Sequence, residues 1–143
     1  MGKKRIVKTE EKTVPTSVGT AKVSIAKKKI ERGVLHIQST YNNTMLILTD
    51  ESGNAVFSSS SGALGFKGAK KGTPFAAAKV GEVIGEKAKT IGVKEVSVVV
   101  KGVGAGRESA IRGFISKGIG LIKIKDITPV PHNGPRPPKP RRV

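Results

Sequence analysis

The chain has 143 residues and a formal net charge of +17, from 27 Lys and Arg against 10 Asp and Glu. That length suits one domain, which can bury a core large enough to fold without disulfides or metal. Cysteine is absent, which excludes thiol nucleophiles and cysteine-liganded zinc, and neither a membrane-spanning run nor an apolar signal region is evident. We therefore expect a soluble protein whose leading partner class is nucleic acid, and the absence of cysteine fits a reducing compartment.

The basic charge is concentrated in the two ends of the chain. Residues 1–32 hold 10 basic and 3 acidic residues, and residues 129–143 hold 4 basic and no acidic ones. Residues 129–143 also contain six of the eight prolines, which favours an extended segment. The sequence therefore predicts a disordered basic arm (1–32), an RNA-binding core (33–128) and a proline-rich basic tail (129–143).

The first half of the core reads as three short strands. β-Branched and aliphatic residues fill 34–41 and 44–50, and the intervening Asn42 and Asn43 are typical of a two-residue hairpin turn. A second turn leads into a strand at 55–60, so we predict an antiparallel meander. Residues 61–72 are rich in Gly, Ser and Lys and read as a loop.

A helix is predicted after the loop, because residues typical of helix ends occur at both of its boundaries. Thr73 can cap it, Pro74 suits its first position, and Gly92 ends it. Gly81 and Gly85 lie one turn apart, which indicates that something approaches the helix closely, most simply the sheet.

The second half of the core predicts a strand, a helix and a final strand. Residues 95–101 are apolar on both faces, as in a central strand that is covered on both sides. A helix is predicted over 107–117, and the last strand over 121–128. The order β-β-β-α-β-α-β gives an α/β fold with a single mixed five-stranded sheet.

The segment between the fourth strand and the second helix combines Lys101, Gly102, Gly104, Gly106 and Arg107. Glycines can turn backbone amides toward an anion, the helix start adds free N–H groups, and arginine adds a forked donor. It is not a nucleotide-binding fingerprint, because the third glycine of G-x-G-x-x-G is missing. We predict phosphate contact here; the alternative is a tight turn that needs glycine only for its geometry.

Further cations lie in the loop at 61–72 and on the second helix. Lys67, Lys70 and Lys71 occur in a stretch without any acid from residue 52 to 81, which favours contact with an RNA backbone over a merely solvated loop. Arg112 lies four residues after Glu108, so a surface ion pair is the alternative to an RNA role. Aromatic residues are few and mostly at positions typical of a core, so a platform for stacking bases is not predicted.

The residues that catalysis or metal binding would need are missing from the pattern. His36 and His132 lie nearly a hundred positions apart, without a nucleophile or second ligand near either. Glu82 and Glu86 form a helix-face pair that we expect to face Lys87, Lys89 and water rather than a metal. We therefore predict no enzymatic activity, no metal and no cofactor or small-molecule substrate.

A series of motifs resembles a known family in order along residues 33–143. They are Tyr-Asn-Asn-Thr at 41–44, Gly-Phe-Lys-Gly at 65–68, Thr-Pro-Phe-Ala-Ala at 73–77, Gly-Arg-Glu-Ser-Ala-Ile-Arg at 106–112 and Asp-Ile-Thr-Pro-Val-Pro-His-Asn-Gly at 126–134. Together they closely resemble the universal eleventh protein of the small ribosomal subunit.

The resemblance implies a fold and a function. The fold would be a ribonuclease-H-like sheet without its active site, and the chain would be a structural constituent that supports subunit assembly and translation. It would bind small-subunit ribosomal RNA in the platform, near the messenger exit region, with small-subunit proteins six, eighteen and twenty-one as neighbours. A sequence-indifferent nucleic-acid compactor is the alternative, but long basic helices and minor-groove arms joined to a dimer interface are not evident.

The predicted RNA-binding residues combine the basic arm, the hairpin turn, the two Gly-containing loops and the tail. They are Lys27, Lys28, Lys29, Arg32, Asn42, Asn43, Lys67, Lys70, Lys71, Lys101, Gly102, Gly104, Gly106, Arg107, Arg112, His132, Asn133, Arg136, Lys139, Arg141 and Arg142.

Overall fold

A computed structural model describes residues 29–142, so most of the predicted basic arm, including Lys27 and Lys28, lies outside the described residues. The described part contains five strands, two α-helices and one short 3₁₀ helix. Their bounds are β1 Arg32–Ser39, β2 Thr44–Asp50, β3 Ala55–Ser60, the 3₁₀ helix Gly68–Gly72, α1 Pro74–Ile91, β4 Glu95–Gly102, α2 Gly106–Ile115 and β5 Gly120–Asp126.

The strands form one mixed sheet in the order β3-β2-β1-β4-β5. β1 pairs antiparallel with β2, and β2 pairs antiparallel with β3. β4 lies parallel to β1 on its other side, and β5 lies parallel to β4. The prediction of an α/β fold with a single mixed five-stranded sheet is confirmed.

Both helices pack on the same face of this sheet. Leu35 and Ile37 alternate with exposed residues along β1 and join Val80 and Ile84 of α1 and Phe114 of α2 in one buried core. The opposite face carries no helix in the described part of the chain.

The prediction that β4 is covered on both sides is therefore wrong. Val96, Val98 and Val100 face the core and are buried, whereas Ser97 and Val99 alternate with them and are half-buried. Valine favours the pleated backbone on either face, so an apolar run does not by itself show that both faces are covered.

The close approach predicted for α1 exists, but its partner is α2 rather than the sheet. A Cβ on Gly81 would overlap the backbone of Ala110 and Phe114, and a Cβ on Gly85 would meet Phe114 and Lys117. The two glycines thus form the surface on which the second helix rests, because a missing side chain allows two helix backbones to approach.

The predicted ends of α1 are confirmed. The Thr73 Oγ1 accepts a hydrogen bond of 3.3 Å from the Ala76 N–H, Pro74 is the first helical residue, and Gly92 adopts the left-handed conformation with φ of 97°.

Two loop predictions change. Ser39 pairs with Thr44, so the loop between β1 and β2 has four residues, 40–43, rather than the two-residue turn that Asn42 and Asn43 predicted. The segment predicted as a loop at 61–72 contains the 3₁₀ helix, which leads directly to Thr73.

Some boundaries of α2 and β5 differ by one or two residues from the predicted ones. α2 begins one residue before the predicted 107 and ends at Ile115, and β5 ends at Asp126 rather than at 128. All seven residues of β5 are exposed. Within residues 29–142, no helix has the length and hydropathy that crossing a membrane would require.

Candidate nucleic-acid interface

Three loops meet at one end of the sheet, where β1 and β4 end side by side with Ser39 opposite Gly102. They are the hairpin loop (residues 40–43), the basic loop (61–72) and the glycine loop (102–107), and we call them together the loop cluster. Both α1 and α2 begin at this same end, so their N-terminal dipole ends point there as well. This is the end of the molecule best suited to bind an anion.

The hairpin loop lies in the middle of the cluster and is held on both sides. The Thr40 N–H donates to the Asn43 carbonyl at 2.8 Å, and the Asn43 N–H donates to the Thr40 Oγ1 at 3.1 Å. On one side the Tyr41 carbonyl packs against Gly72 of the basic loop. On the other side the Gly104 N–H donates to the Ser39 carbonyl at 3.0 Å. The loop cluster is therefore one connected surface.

The glycine loop needs its glycines for packing. Gly102 has a φ of 108°, a left-handed value that side chains rarely adopt, and a Cβ there would overlap the Ser39 carbonyl. A Cβ on Gly104 would overlap the Thr40 carbonyl and the Ser39 Oγ. The alternative that the glycines serve the geometry of the turn thus has a clear structural basis.

The guanidinium of Arg107 is bound within the protein. It donates to the Gly102 carbonyl at 2.7 Å and forms an ion pair with the Asp126 carboxylate. Thr128 completes the arrangement, since its Oγ1 and its N–H donate to Asp126 Oδ1 at 2.6 and 2.9 Å. We call Arg107, Asp126 and Thr128 the latch, because they join the glycine loop to the residues that follow β5.

The latch changes the acidity of its carboxylate. The hydroxyl and the N–H of Thr128, followed by the Arg107 guanidinium, lower the pKa of Asp126 to about 2. Each of these groups stabilises the ionised carboxylate by donating a hydrogen bond to it. The latch is therefore intact at neutral pH.

The cations of the basic loop, in contrast, are not paired. Lys67 and Lys70 are exposed and Lys71 is half-buried, and none of them has an ion-pair partner within residues 29–142. Lys101, beside the glycine loop, is also exposed and unpaired in that range. These lysines present an uncompensated positive surface at the loop cluster.

Four of the eight acidic residues in the described chain lie at the opposite end of the sheet, whereas Glu108 and Asp126 lie at the loop-cluster end, where each pairs with an arginine. Glu31, Asp50, Glu51 and Glu95 all flank the amino end of β1, the end of β2 or the start of β4. Two of these carboxylates are paired, Glu95 with Arg32 and Glu31 with Lys94, so the unpaired lysines of the loop cluster are the charges that would attract a polyanion.

The sequence profile of a known family, described as Ribosomal protein S11, matches residues 33–142. The chain belongs to the ribosomal protein S11 family. Members of this family are RNA-binding structural proteins of the small subunit, which act in translation on the cytoplasmic ribosome. The identification confirms the resemblance drawn from the motifs.

The S11 fold brings some of the predicted RNA-binding residues together and separates others. Asn42, Asn43, Lys67, Lys70, Lys71, Lys101, Gly102, Gly104, Gly106 and Arg107 belong to the loop cluster or border it. The tail residues His132, Asn133, Arg136, Lys139, Arg141 and Arg142 are exposed in a segment without helices or strands.

Three predicted cations lie apart from the cluster's free lysines. Lys29 and Arg32 lie at the acidic end, and the Arg32 Nε donates to Glu95 at 3.1 Å. Arg112 projects from α2 and pairs with Glu108 at 3.5 Å, which is the surface ion pair that the sequence offered as the alternative. An RNA contact by each of them stays a prediction.

The placement of the aromatic residues corrects an expectation. Phe114 is buried and Phe57 and Phe66 are half-buried, but Tyr41 is 77% exposed and Phe75 is 64% exposed, and both lie at the loop cluster. Sequence reasoning missed Tyr41 because the predicted strand 34–41 extends two residues beyond the last paired residue, Ser39, and so includes Tyr41. Recognising a four-residue loop would have placed the ring in solvent.

Most acidic side chains within residues 29–142 form ion pairs. Glu82 pairs with Lys79 at 3.0 Å and Glu86 with Lys117 at 2.8 Å, so the expected partners Lys87 and Lys89 are not the ones observed. The hydrogen bond from Lys117 lowers the pKa of Glu86. Over residues 29–142, no three His, Asp or Glu side chains come together as a metal site.

Proposed function

We propose that this S11 protein binds small-subunit ribosomal RNA through the loop cluster, with the proline-rich tail extending the interface, as a structural constituent that supports subunit assembly and translation. The observation that carries the proposal is the convergence of Lys67, Lys70, Lys71 and Lys101 at one end of the sheet without ion-pair partners in the described chain. A cation that has no internal partner can neutralise a phosphate without first breaking a bond.

The location of the protein within the small subunit is part of the same proposal, and it follows from the family resemblance. The RNA would be that of the platform beside the messenger exit region, with messenger RNA close by. The neighbours would be small-subunit proteins six, eighteen and twenty-one. Strand β5 is a surface that suits a protein neighbour, since it lies at the edge of the sheet and leaves Ile122 and Ile124 more than half exposed.

We also propose that the protein has no enzymatic role. The ion pairs of Glu82 and Glu86 support this, and so does the division of the other acids between the two ends of the sheet, because metal-dependent cleavage would require several carboxylates at one point. Purified protein incubated with RNA and Mg²⁺ or Mn²⁺ should leave the RNA intact. Cleavage that co-purifies with the protein and disappears in Asp50→Asn would overturn this part.

The RNA proposal is tested by a matched pair of triple variants. Lys67→Gln, Lys70→Gln and Lys71→Gln together remove three charges from the basic loop, while Lys87→Gln, Lys89→Gln and Lys94→Gln remove three exposed charges near the end of α1. Affinity for the ribosomal RNA fragment is measured from low to high salt. The salt slope should fall by roughly 0.7–0.9 for each phosphate that the basic-loop variant no longer neutralises, and little in the other variant.

The outcomes separate the candidate functions. Equal decreases in affinity for both triple variants would mean that binding follows net charge alone and would contradict the loop-cluster interface. Binding of random duplex DNA as tight as that of the ribosomal fragment would instead favour the nucleic-acid compactor. Co-sedimentation of the endogenous protein with small subunits after a high-salt wash tests its place in the subunit.

A further inference from the structure

Tyr41 differs from every other aromatic residue in the described chain, because its ring is both exposed and without a partner. Phe75 is also exposed, but Phe66 meets its ring edge-on at 6.1 Å and the Lys79 Nζ lies 5.7 Å from its centre. Within residues 29–142, no ring or cation packs on Tyr41, which is 77% exposed. Leaving so large an apolar surface in water costs free energy unless something covers it.

The ring is carried by a loop whose backbone is held in place. Hydrogen bonds close the hairpin loop between Thr40 and Asn43, and Gly72 packs against the Tyr41 carbonyl. The backbone is thus ordered before any ligand packs on the ring. Binding there loses little conformational entropy, which increases affinity.

A groove of about 360 Å³ lies beside this loop and is lined by both apolar and polar side chains. Tyr41, Val103 and Pro129 supply its apolar surface, and Gln38 and Lys101 supply polar groups. This volume is within the range of about 300–1,000 Å³ that is typical of small-ligand pockets. The groove can accept one flat group together with its polar edge.

The groove's chemistry matches a nucleotide whose base is not paired. An aromatic ring and an apolar wall can hold the two faces of a base, and a glutamine amide can both donate to and accept from its edge. Lys101 is exposed and has no ion-pair partner in the described chain, so it is available to the attached phosphate. A base inside a duplex has both faces covered by its neighbours and offers no such surface.

We propose that the groove beside Tyr41 binds a single unpaired base of the RNA, which stacks on the Tyr41 ring while Lys101 contacts its phosphate. This inference rests on the proposed function and deepens it, since the loop cluster would recognise an unstacked nucleotide in addition to the backbone charge. The sequence predicted no platform of several stacking rings, and this inference adds one stacking position at Tyr41.

The test uses the full chain, a small-subunit ribosomal RNA fragment and the variants Tyr41→Ala and Tyr41→Phe. Loss of the ring should weaken binding roughly 5- to 150-fold, the range for stacking of one base, and leave the salt slope unchanged because no charge is removed. Tyr41→Phe keeps the ring and should bind within about twofold of the parent. Melting curves should be alike for all three proteins, since the ring makes no packing contact with another ring in the described chain.

A second measurement identifies what occupies the groove. Ultraviolet crosslinking followed by mass spectrometry of the complex should join Tyr41 to one nucleotide. An RNA fragment with an abasic site at that nucleotide should bind the parent as weakly as the intact fragment binds Tyr41→Ala, and the two changes together should cost little more than either alone.

The results that overturn the inference differ from those that overturn the proposed function. If Tyr41→Ala binds like the parent while the basic-loop triple variant is weakened, the base-binding groove is wrong and the RNA interface stands. If neither variant is weakened, both fail. A crosslink from Tyr41 to a neighbouring protein in intact subunits, with none to RNA, would assign the groove to that protein and overturn the inference.

Discussion

The glycine loop and the basic loop look alike in the sequence but differ in what their charged groups do. Both are rich in glycine, both carry cations, and both precede a helix. In the glycine loop Arg107 is bound to the Gly102 carbonyl and to Asp126. In the basic loop Lys67 and Lys70 extend into solvent, with no ion pair in the described chain.

Most of their glycines differ in the same way. Gly102 and Gly104 are surrounded by the backbone of residues 39 and 40, whereas in the basic loop only Gly72 is packed against backbone, at the Tyr41 carbonyl, and a Cβ on Gly62 would meet only ordinary contacts of 3.6 Å or more. The comparison shows that a Gly-rich basic segment can be either a packed support or an available binding surface. The packing around its glycines and the partners of its cations distinguish the two.

The largest expected effect is on stability, and it comes from the packed loop. Gly104→Ala forces a Cβ against the Thr40 carbonyl and should cost about 1–3 kcal/mol, the usual range for overpacking. Its matched control is Gly62→Ala in the basic loop, which should be close to neutral. Thermal melting should show a decrease of at least about 4 °C for the first variant alone. Equal melting temperatures for Gly104→Ala and Gly62→Ala would show that the glycine loop can accommodate a Cβ. The two loops would then not differ in packing.

Arg107→Ala should have the next largest effect. It distinguishes the two loops because it should change stability more than RNA affinity. Loss of the hydrogen bond to Gly102 and of the partly exposed ion pair should lower stability by about 0.5–1.5 kcal/mol. The affinity of the folded variant for the RNA fragment should fall less than that of the basic-loop triple variant. A larger decrease in affinity for Arg107→Ala, with an unchanged melting curve, would show that the glycine loop contacts phosphate directly.

The latch also predicts that folding stability falls at acidic pH, an effect for which the basic loop has no carboxylate. The pKa of Asp126 is about 2 in the folded protein and near its ordinary value when unfolded, so the ionised form favours folding. Its contribution is complete above about pH 4 and is lost as the pH falls toward 2. Melting of the parent and of Asp126→Asn should therefore differ at pH 7 and converge near pH 2. A constant difference across this range would mean that the carboxylate is not stabilised by the latch.

Arg112→Ala should have the smallest effect. Arg112 and Glu108 are both 82% exposed at 3.5 Å, and exposed pairs at this spacing on a helix contribute about 0.3–0.5 kcal/mol. If the ion pair is the whole role of Arg112, RNA affinity stays unchanged while the melting temperature decreases by at most a few degrees. A clear decrease in affinity would extend the RNA interface from the glycine loop along α2.

Much of the fold follows from short-range signals. Thr73, Pro74 and Gly92 mark the ends of α1 within one turn of each boundary, and the structure confirms them. The boundaries that shifted, at the hairpin loop and at the end of β5, lie where the strand pattern continues past the last paired residue. Pairing needs a partner strand, and the partner is not adjacent in the sequence.

The sequence by itself determined the element order, the excess of positive charge and, through its motifs, the S11 family. Tertiary structure alone decided that both helices cover one face, that Arg107 is held by Asp126 and that Tyr41 remains exposed beside a groove. The physical reason is separation along the chain. Propensities and caps act over a few residues, whereas Arg107 and Asp126 are 19 positions apart and Ser39 and Gly102 are 63 apart, so only strand register and packing bring them together.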